Sequence, residues 1–81
     1  MNPPRLTLYT RRDCHLCEAA HQMLQRLQAR GAVFNLDIID VDRDPAIQSL
    51  YGTEVPVLLV EAKKFAKLRF DERRLARKLG V

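Results

Sequence analysis

Residues 5–30 read RLTLYTRRDCHLCEAAHQMLQRLQAR, and this stretch decides the fold. Arg5 to Tyr9 alternates, with Leu6 and Leu8 on one face, which is the period of a short strand. Thr10-Arg11-Arg12-Asp13 is polar and forms a loop. From Cys14 to Arg30 the period changes: Leu16, Ala20, Met23, Leu24 and Leu27 fall on one side at helical spacing, and Gln22, Gln25, Arg26 and Gln28 mostly on the other. Gly31 follows as a C-terminal stop. A strand therefore hands over to a helix, and two cysteines stand at the junction.

The rest of the chain extends this unit. Val33 to Val41 alternates again, with Phe34, Leu36 and Ile38 on one face and Asn35 and Asp37 on the other, and predicts a second strand. Asp44-Pro45 starts a short helix: the carboxylate caps the first turn, and proline at the first helical position loses no hydrogen bond. Gly52 ends that helix. Val55 to Val60 (VPVLLV) is an apolar run with the length of a strand buried on both faces. Pro56 has no N–H for a ladder, so it belongs at the strand's start. Glu61-Ala62-Lys63 reverses the chain into a fourth strand over Lys64 to Arg69. Asp71 caps a last helix that turns Leu75, Ala76 and Leu79 inward and stops at Gly80. The order is β-α-β-α-β-β-α. The first two strands must be parallel across a right-handed helical crossover, and the last two form a hairpin. The expectation is an α/β fold with one mixed four-stranded sheet and helices on both faces.

With 81 residues the chain is expected to be one domain over residues 1–81, since halves would be too small to bury a core. Apolar residues at 47% and charged residues at 30% place it with globular rather than disordered chains. The longest apolar stretch, Val55 to Val60, falls far short of the roughly 20 residues that a membrane span needs. The opening Met1-Asn2-Pro3-Pro4-Arg5 does not read as a secretory signal, so a cytoplasmic location is expected. The net charge of +4 is uneven: residues 1–62 carry −2 and residues 63–81 carry +6.

Two cysteines are too few for a secreted disulfide scaffold, and in a reducing compartment a close pair points to catalysis or metal binding. Cys14 falls at a helix N-terminus, where unpaired N–H groups and the helix dipole stabilise an anion. A thiolate there has a lowered pKa and is the attacking species. Cys17, almost one turn later, can reach back to the same sulfur, which suits attack on a disulfide followed by release through an internal one. Arg11, Arg12 and His15 add positive charge nearby, and Asp13 opposes it. His15 either supports the thiolate as an imidazolium or simply faces solvent. His21 is four residues after Cys17 on the same helix; an exposed helix histidine is its simpler reading, and a proton carrier its functional one. Cys14, Cys17, His21 and His15 offer up to four zinc ligands. Structural zinc sites usually draw a second pair from a separate segment, which is lacking, so no metal is expected. Haem attachment needs His after the second cysteine, and Glu18 stands there. Asp40, Asp42 and Asp44 have neither the glycine nor the terminal acid of a calcium loop and are read as strand-end and capping residues.

LTLYT, DCHLC, DIIDVDRDP and YGTEVPVLLV together resemble the glutaredoxin-like branch of the thioredoxin superfamily. The resemblance covers nearly the whole chain and implies a thioredoxin fold with strand order 2-1-3-4. It also implies a cis peptide bond at Pro56, facing the cysteines, and a Val55 backbone offered to an extended substrate or to glutathione. Arg11 matches a basic residue that glutaredoxins direct at a glutathione carboxylate. The departures are Cys-His-Leu-Cys for Cys-Pro-Tyr-Cys, Glu54 for threonine before Val-Pro, and Ala66-Lys67 where a glycine pair normally lets glutathione approach. Asp71 stands in for the acid that meets the glutathione amine. The first strand also lacks the buried carboxylate typical of thioredoxins.

The expected function is a small dithiol–disulfide oxidoreductase, with Cys14 as nucleophile and Cys17 as resolving thiol. Arg11, Val55 and Pro56 shape the substrate site, and Arg12 and His15 tune the thiol. No cofactor is required beyond glutathione or another thiol reductant or reductase. The expected partners are protein disulfides or glutathione mixed disulfides; no membrane and no nucleic acid is expected, and the protein is read as a monomer. The alternative is a binding module that keeps the fold and docks an acidic partner or nucleic acid through its basic C-terminal face, Lys63, Lys64, Lys67, Arg69, Arg73, Arg74, Arg77 and Lys78. A solvated helix face and strand edge account for these residues more simply.

Overall fold

The computed structural model describes residues 2–81; Met1, with which the expected domain range opens, lies outside them. The elements are β1 (Arg5–Thr10), α1 (His15–Ala29), β2 (Asn35–Asp40), a 3-10 turn (Val41–Arg43), α2 (Pro45–Tyr51), β3 (Val57–Val60), β4 (Lys63–Lys67) and α3 (Glu72–Leu79). They form one four-stranded sheet in the order β2-β1-β3-β4. β1 runs parallel to β2 and antiparallel to β3, and β4 returns antiparallel beside β3. This is the thioredoxin fold that the resemblance implies.

Alternation along the strands sorts side chains into two layers. Leu6, Leu8, Leu58 and Val60 point to one face and pack on Leu24 and Leu27 of α1 and Leu75 and Ala76 of α3. Tyr9 and Val57 point to the other and pack with Val41, Ile47 and Tyr51 on the α2 side. Each fully buried leucine contributes roughly 1.5–3 kcal/mol by leaving water, so the first layer holds most of the fold's cohesion.

Several boundaries differ from the sequence expectation: β1 runs on to Thr10, β3 begins at Val57 rather than Val55, and β4 begins at Lys63 rather than Lys64. β2 covers Asn35–Asp40 rather than 33–41; on the face shared by Phe34, Leu36 and Ile38, Phe34 just before the strand is buried, Leu36 is half-buried and Ile38 is 52% exposed. β2 is the outermost strand, so β1 covers it on one side only. β4 ends at Lys67 rather than Arg69, because Leu68 adopts a left-handed backbone (φ 63°) and its N–H donates to the Pro56 carbonyl (2.8 Å). Cys14 and Arg30 are the caps of α1 rather than members of it.

Candidate active site

The loop between β1 and α1 is shaped by Asp13, whose left-handed φ of 53° turns the chain at a residue type that tolerates it. Cys14 follows in an extended conformation and takes the N-cap position, where serine, threonine or aspartate is usual. Its Sγ accepts a hydrogen bond from the Cys17 N–H at 3.2 Å, so one otherwise unpaired first-turn donor of α1 is taken up by this sulfur. Cys14 and Cys17 form a disulfide, with Cα atoms 5.2 Å apart. Cys14 is half-buried, whereas Cys17 is 4% exposed. One sulfur thus meets solvent and the other lies beneath it.

Register places the second half of the site. Val57 pairs with Tyr9, so β3 begins at the sheet end where β1 finishes and the cysteine loop starts. Val55–Pro56, directly before β3, is a cis peptide bond. Pro56 is buried and Val55 half-buried. Glu54 precedes them, and Lys64 and Lys67 of β4 each donate to its carboxylate, at 2.9 and 2.7 Å. The two ammonium groups hold the Glu54 carboxyl down to about 2, so its charge is matched within the hairpin.

Arg11 faces inward from the loop. Its guanidinium grips both oxygens of Asp42, with Nε and Nη2 each at 3.0 Å, and donates through Nη1 to the Gly52 carbonyl (2.9 Å). This fork raises the Arg11 pKa and lowers that of Asp42. Gly52 is buried in an ordinary right-handed conformation, so its role is close approach: a Cβ would stand 2.5 Å from the Gln48 carbonyl and 3.2 Å from Arg11 Nη2. Arg12 and His15 are exposed, and neither has an ion-pair partner among the described residues.

The sequence reading did not anticipate Asp42. Asp40 and Asp44 cap the 3-10 turn and α2, but Asp42 clamps Arg11 from 31 positions away. Nor did it anticipate the Glu54 clamp or the stacking of Tyr9 on Tyr51 (4.6 Å between ring centroids) behind the loop. An odd aspartate in an otherwise capping run was the only signal for the first, and cross-strand register is needed for the second. Beside the disulfide, a cavity of about 240 Å³ opens between α1 and β2; Cys14, Cys17, His21 and Ile38 are among its walls.

The pattern of a described family, the glutaredoxin-like domain (DUF836), matches residues 5–80. The X-ray structure of a structural-genomics target from X. campestris, XcR50, superposes with a TM-score of 0.73 at 41% identity, covering 93% of this chain and 95% of that one. A thioredoxin from Halobacterium salinarum superposes with a TM-score of 0.67 at 24% identity, over 96% of this chain and 73% of that one, a likeness of fold. An uncharacterized protein of Mycobacterium bovis is 29% identical over 80 residues, 93% of this chain and 81% of the relative.

Proposed function

The chain belongs to the glutaredoxin-like domain family, and from that premise we propose that it is a dithiol–disulfide oxidoreductase with Cys14 as attacking thiol and Cys17 as resolving thiol. The observation that carries this reading is the Cys14–Cys17 disulfide at the N-cap of α1, with the outer sulfur hydrogen-bonded to the helix backbone. The Cys14 thiolate attacks a substrate disulfide, forms a mixed disulfide and releases one substrate thiol. Cys17 then attacks Cys14 Sγ, closes the internal disulfide and releases the second thiol. The two sulfurs have given up two electrons, and a thiol reductant or a reductase returns them.

Protein disulfides are the preferred substrates. Val55 supplies backbone groups that an extended polypeptide pairs with as an added strand. Arg11, the candidate contact for a glutathione carboxylate, is already engaged by Asp42 and Gly52. At the turn after β4 the left-handed residue is Leu68, whose side chain takes room that a glycine would leave open. The test compares single-turnover reduction of a model protein disulfide with a chemical-shift titration by oxidised glutathione. Rapid protein-disulfide reduction with weak, diffuse glutathione shifts is expected. Tight, saturable glutathione binding centred on Arg11, Val55 and Asp71 would overturn the preference, and failure to reduce any disulfide would overturn the activity.

A further inference from the structure

The resolving step needs a proton acceptor, because only a thiolate attacks a disulfide and Cys17 is buried. Burial in apolar surroundings opposes loss of that proton. Among the described residues no charged side chain is buried, the buried Tyr9 points to the opposite, α2 side of the sheet, and β1 presents Leu8 on the cysteine side. The proton must therefore leave through the cavity that Cys17 lines. We propose that His21 is the proton acceptor for the Cys17 thiol in the resolving step, an inference that rests on the reading of Cys17 as the resolving residue.

His21 lies four residues after Cys17 on α1, so the two side chains are neighbours on one helix face. Both line the 240 Å³ cavity, and His21 is half-buried, so its ring borders the cavity and meets solvent as well. The remaining ionisable groups around the cavity are Cys14 at the N-cap of α1, Glu18 on α1, and Arg11, Arg12 and Asp13 on the loop; β2 contributes only Ile38. The arginines stay protonated and accept nothing. Carboxylates are weaker bases than a thiolate by about four pKa units, so Asp13 and Glu18 take a thiol proton only at a large loss. In the mixed disulfide Cys14 has no free thiolate. Imidazole alone among these groups belongs to the class that titrates near neutral pH, where a general base works best.

The Cys17 thiol gives its proton to an imidazole nitrogen of His21. The Cys17 thiolate attacks Cys14 Sγ, and the Cys14–Cys17 bond forms. The bond between Cys14 and the substrate sulfur breaks, and the substrate thiolate leaves with the electron pair and takes a proton from the imidazolium or from water.

Reduced protein mixed with dithiobis(nitrobenzoate) reads the two steps separately. The first thionitrobenzoate released reports attack by Cys14, and the second reports resolution by Cys17. For His21→Gln, the first release is expected to stay within about twofold, and the second to slow by roughly tenfold or more near neutral pH, as for loss of a general base. Its pH profile for the second release also departs from that of the wild type. In His21→Ala, added imidazole restores the second release, and pyrazole, equal in size but scarcely basic, does not. The proposal is overturned if the second release keeps its rate and pH profile, if both releases slow together, or if pyrazole rescues as well as imidazole. A wild-type protein that releases only one equivalent refutes Cys17 as resolving thiol, and the assigned activity falls with it.

Discussion

Cys14 does two jobs with one atom. As N-cap it accepts a hydrogen bond from the Cys17 N–H, and as a sulfur it is the more accessible member of the disulfide, half-buried where Cys17 is buried. The hydrogen bond comes from backbone, so it persists when Cys17 is replaced. The thiolate absorbance of a Cys17→Ser variant is therefore expected to titrate clearly below the free thiol value of about 8.5. A midpoint at or above that value would remove Cys14 as nucleophile. Burial also orders the pair. Cys17→Ser is expected to trap a mixed disulfide with a protein substrate and Cys14→Ser to trap little. In the reduced wild type, alkylation should reach Cys14 well before Cys17, which is 4% exposed. Equal alkylation rates would contradict that order.

Among the elements, the β3–β4 hairpin holds the loop that carries Pro56. Lys64 and Lys67 reach from β4 to Glu54, and the N–H of Leu68, just after β4, reaches the Pro56 carbonyl, so the loop is tied at both ends to β4 and the turn that follows it. Glu54 in the folded chain titrates at about 2, below its ordinary 4.5. Its folded-state pKa is depressed, so its contribution to stability is present above about 4.5 and is lost as pH falls towards about 2. Glu54→Gln is accordingly expected to melt at a lower temperature than wild type near pH 6, with the gap closing towards about pH 2. Thermal unfolding followed by circular dichroism at both pH values checks this, and a gap that is constant with pH would show that the clamp contributes nothing. A high-salt series should narrow the gap as well, since the pairs are solvent-facing and screened.

Across the whole molecule, one layer of apolar side chains on the α1–α3 face carries most of the burial. Leu24 is fully buried there between the sheet and the helices. Leu24→Ala is expected to cost about 2–5 kcal/mol, a large share of the few to ten kcal/mol typical of a chain this size. Urea unfolding followed by circular dichroism measures it, and a loss under about 1 kcal/mol would mean that the site collapses without a cavity. Charge is spread differently from burial. Of the basic residues that make the last 19 positions +6, Lys64 and Lys67 are taken up by Glu54, and Arg74 stacks on Phe65, 4.6 Å from the ring centroid. Lys63, Arg69, Arg73, Arg77 and Lys78 have no ion-pair partner among the described residues. Retention on nucleic acid that vanishes with moderate salt is therefore expected from charge alone; retention that survives it would favour the binding-module alternative.

The sequence by itself determined the element order, the two layers and the junction of strand, cysteines and helix, because these depend on hydrophobic period, caps and turn residues that act over a few positions. It also placed Cys14 at a helix start and Pro56 at a strand start. The cis bond came through a family resemblance, since period and spacing say nothing about it. Only the tertiary structure decided which charges meet. Arg11 with Asp42, Lys64 and Lys67 with Glu54, and Arg26 with Glu72 are pairs 10 to 46 positions apart. A surface charge in a sequence carries no mark of its partner, because the pairing follows from register and crossover geometry. Ile38 shows the same limit for apolar groups: alternation put it on one face with Phe34 and Leu36, and the edge position of β2 left it half in solvent beside His21 and the buried Cys17. Local chemistry is written in neighbours along the chain, whereas an environment is the sum of what the folded sheet brings from elsewhere.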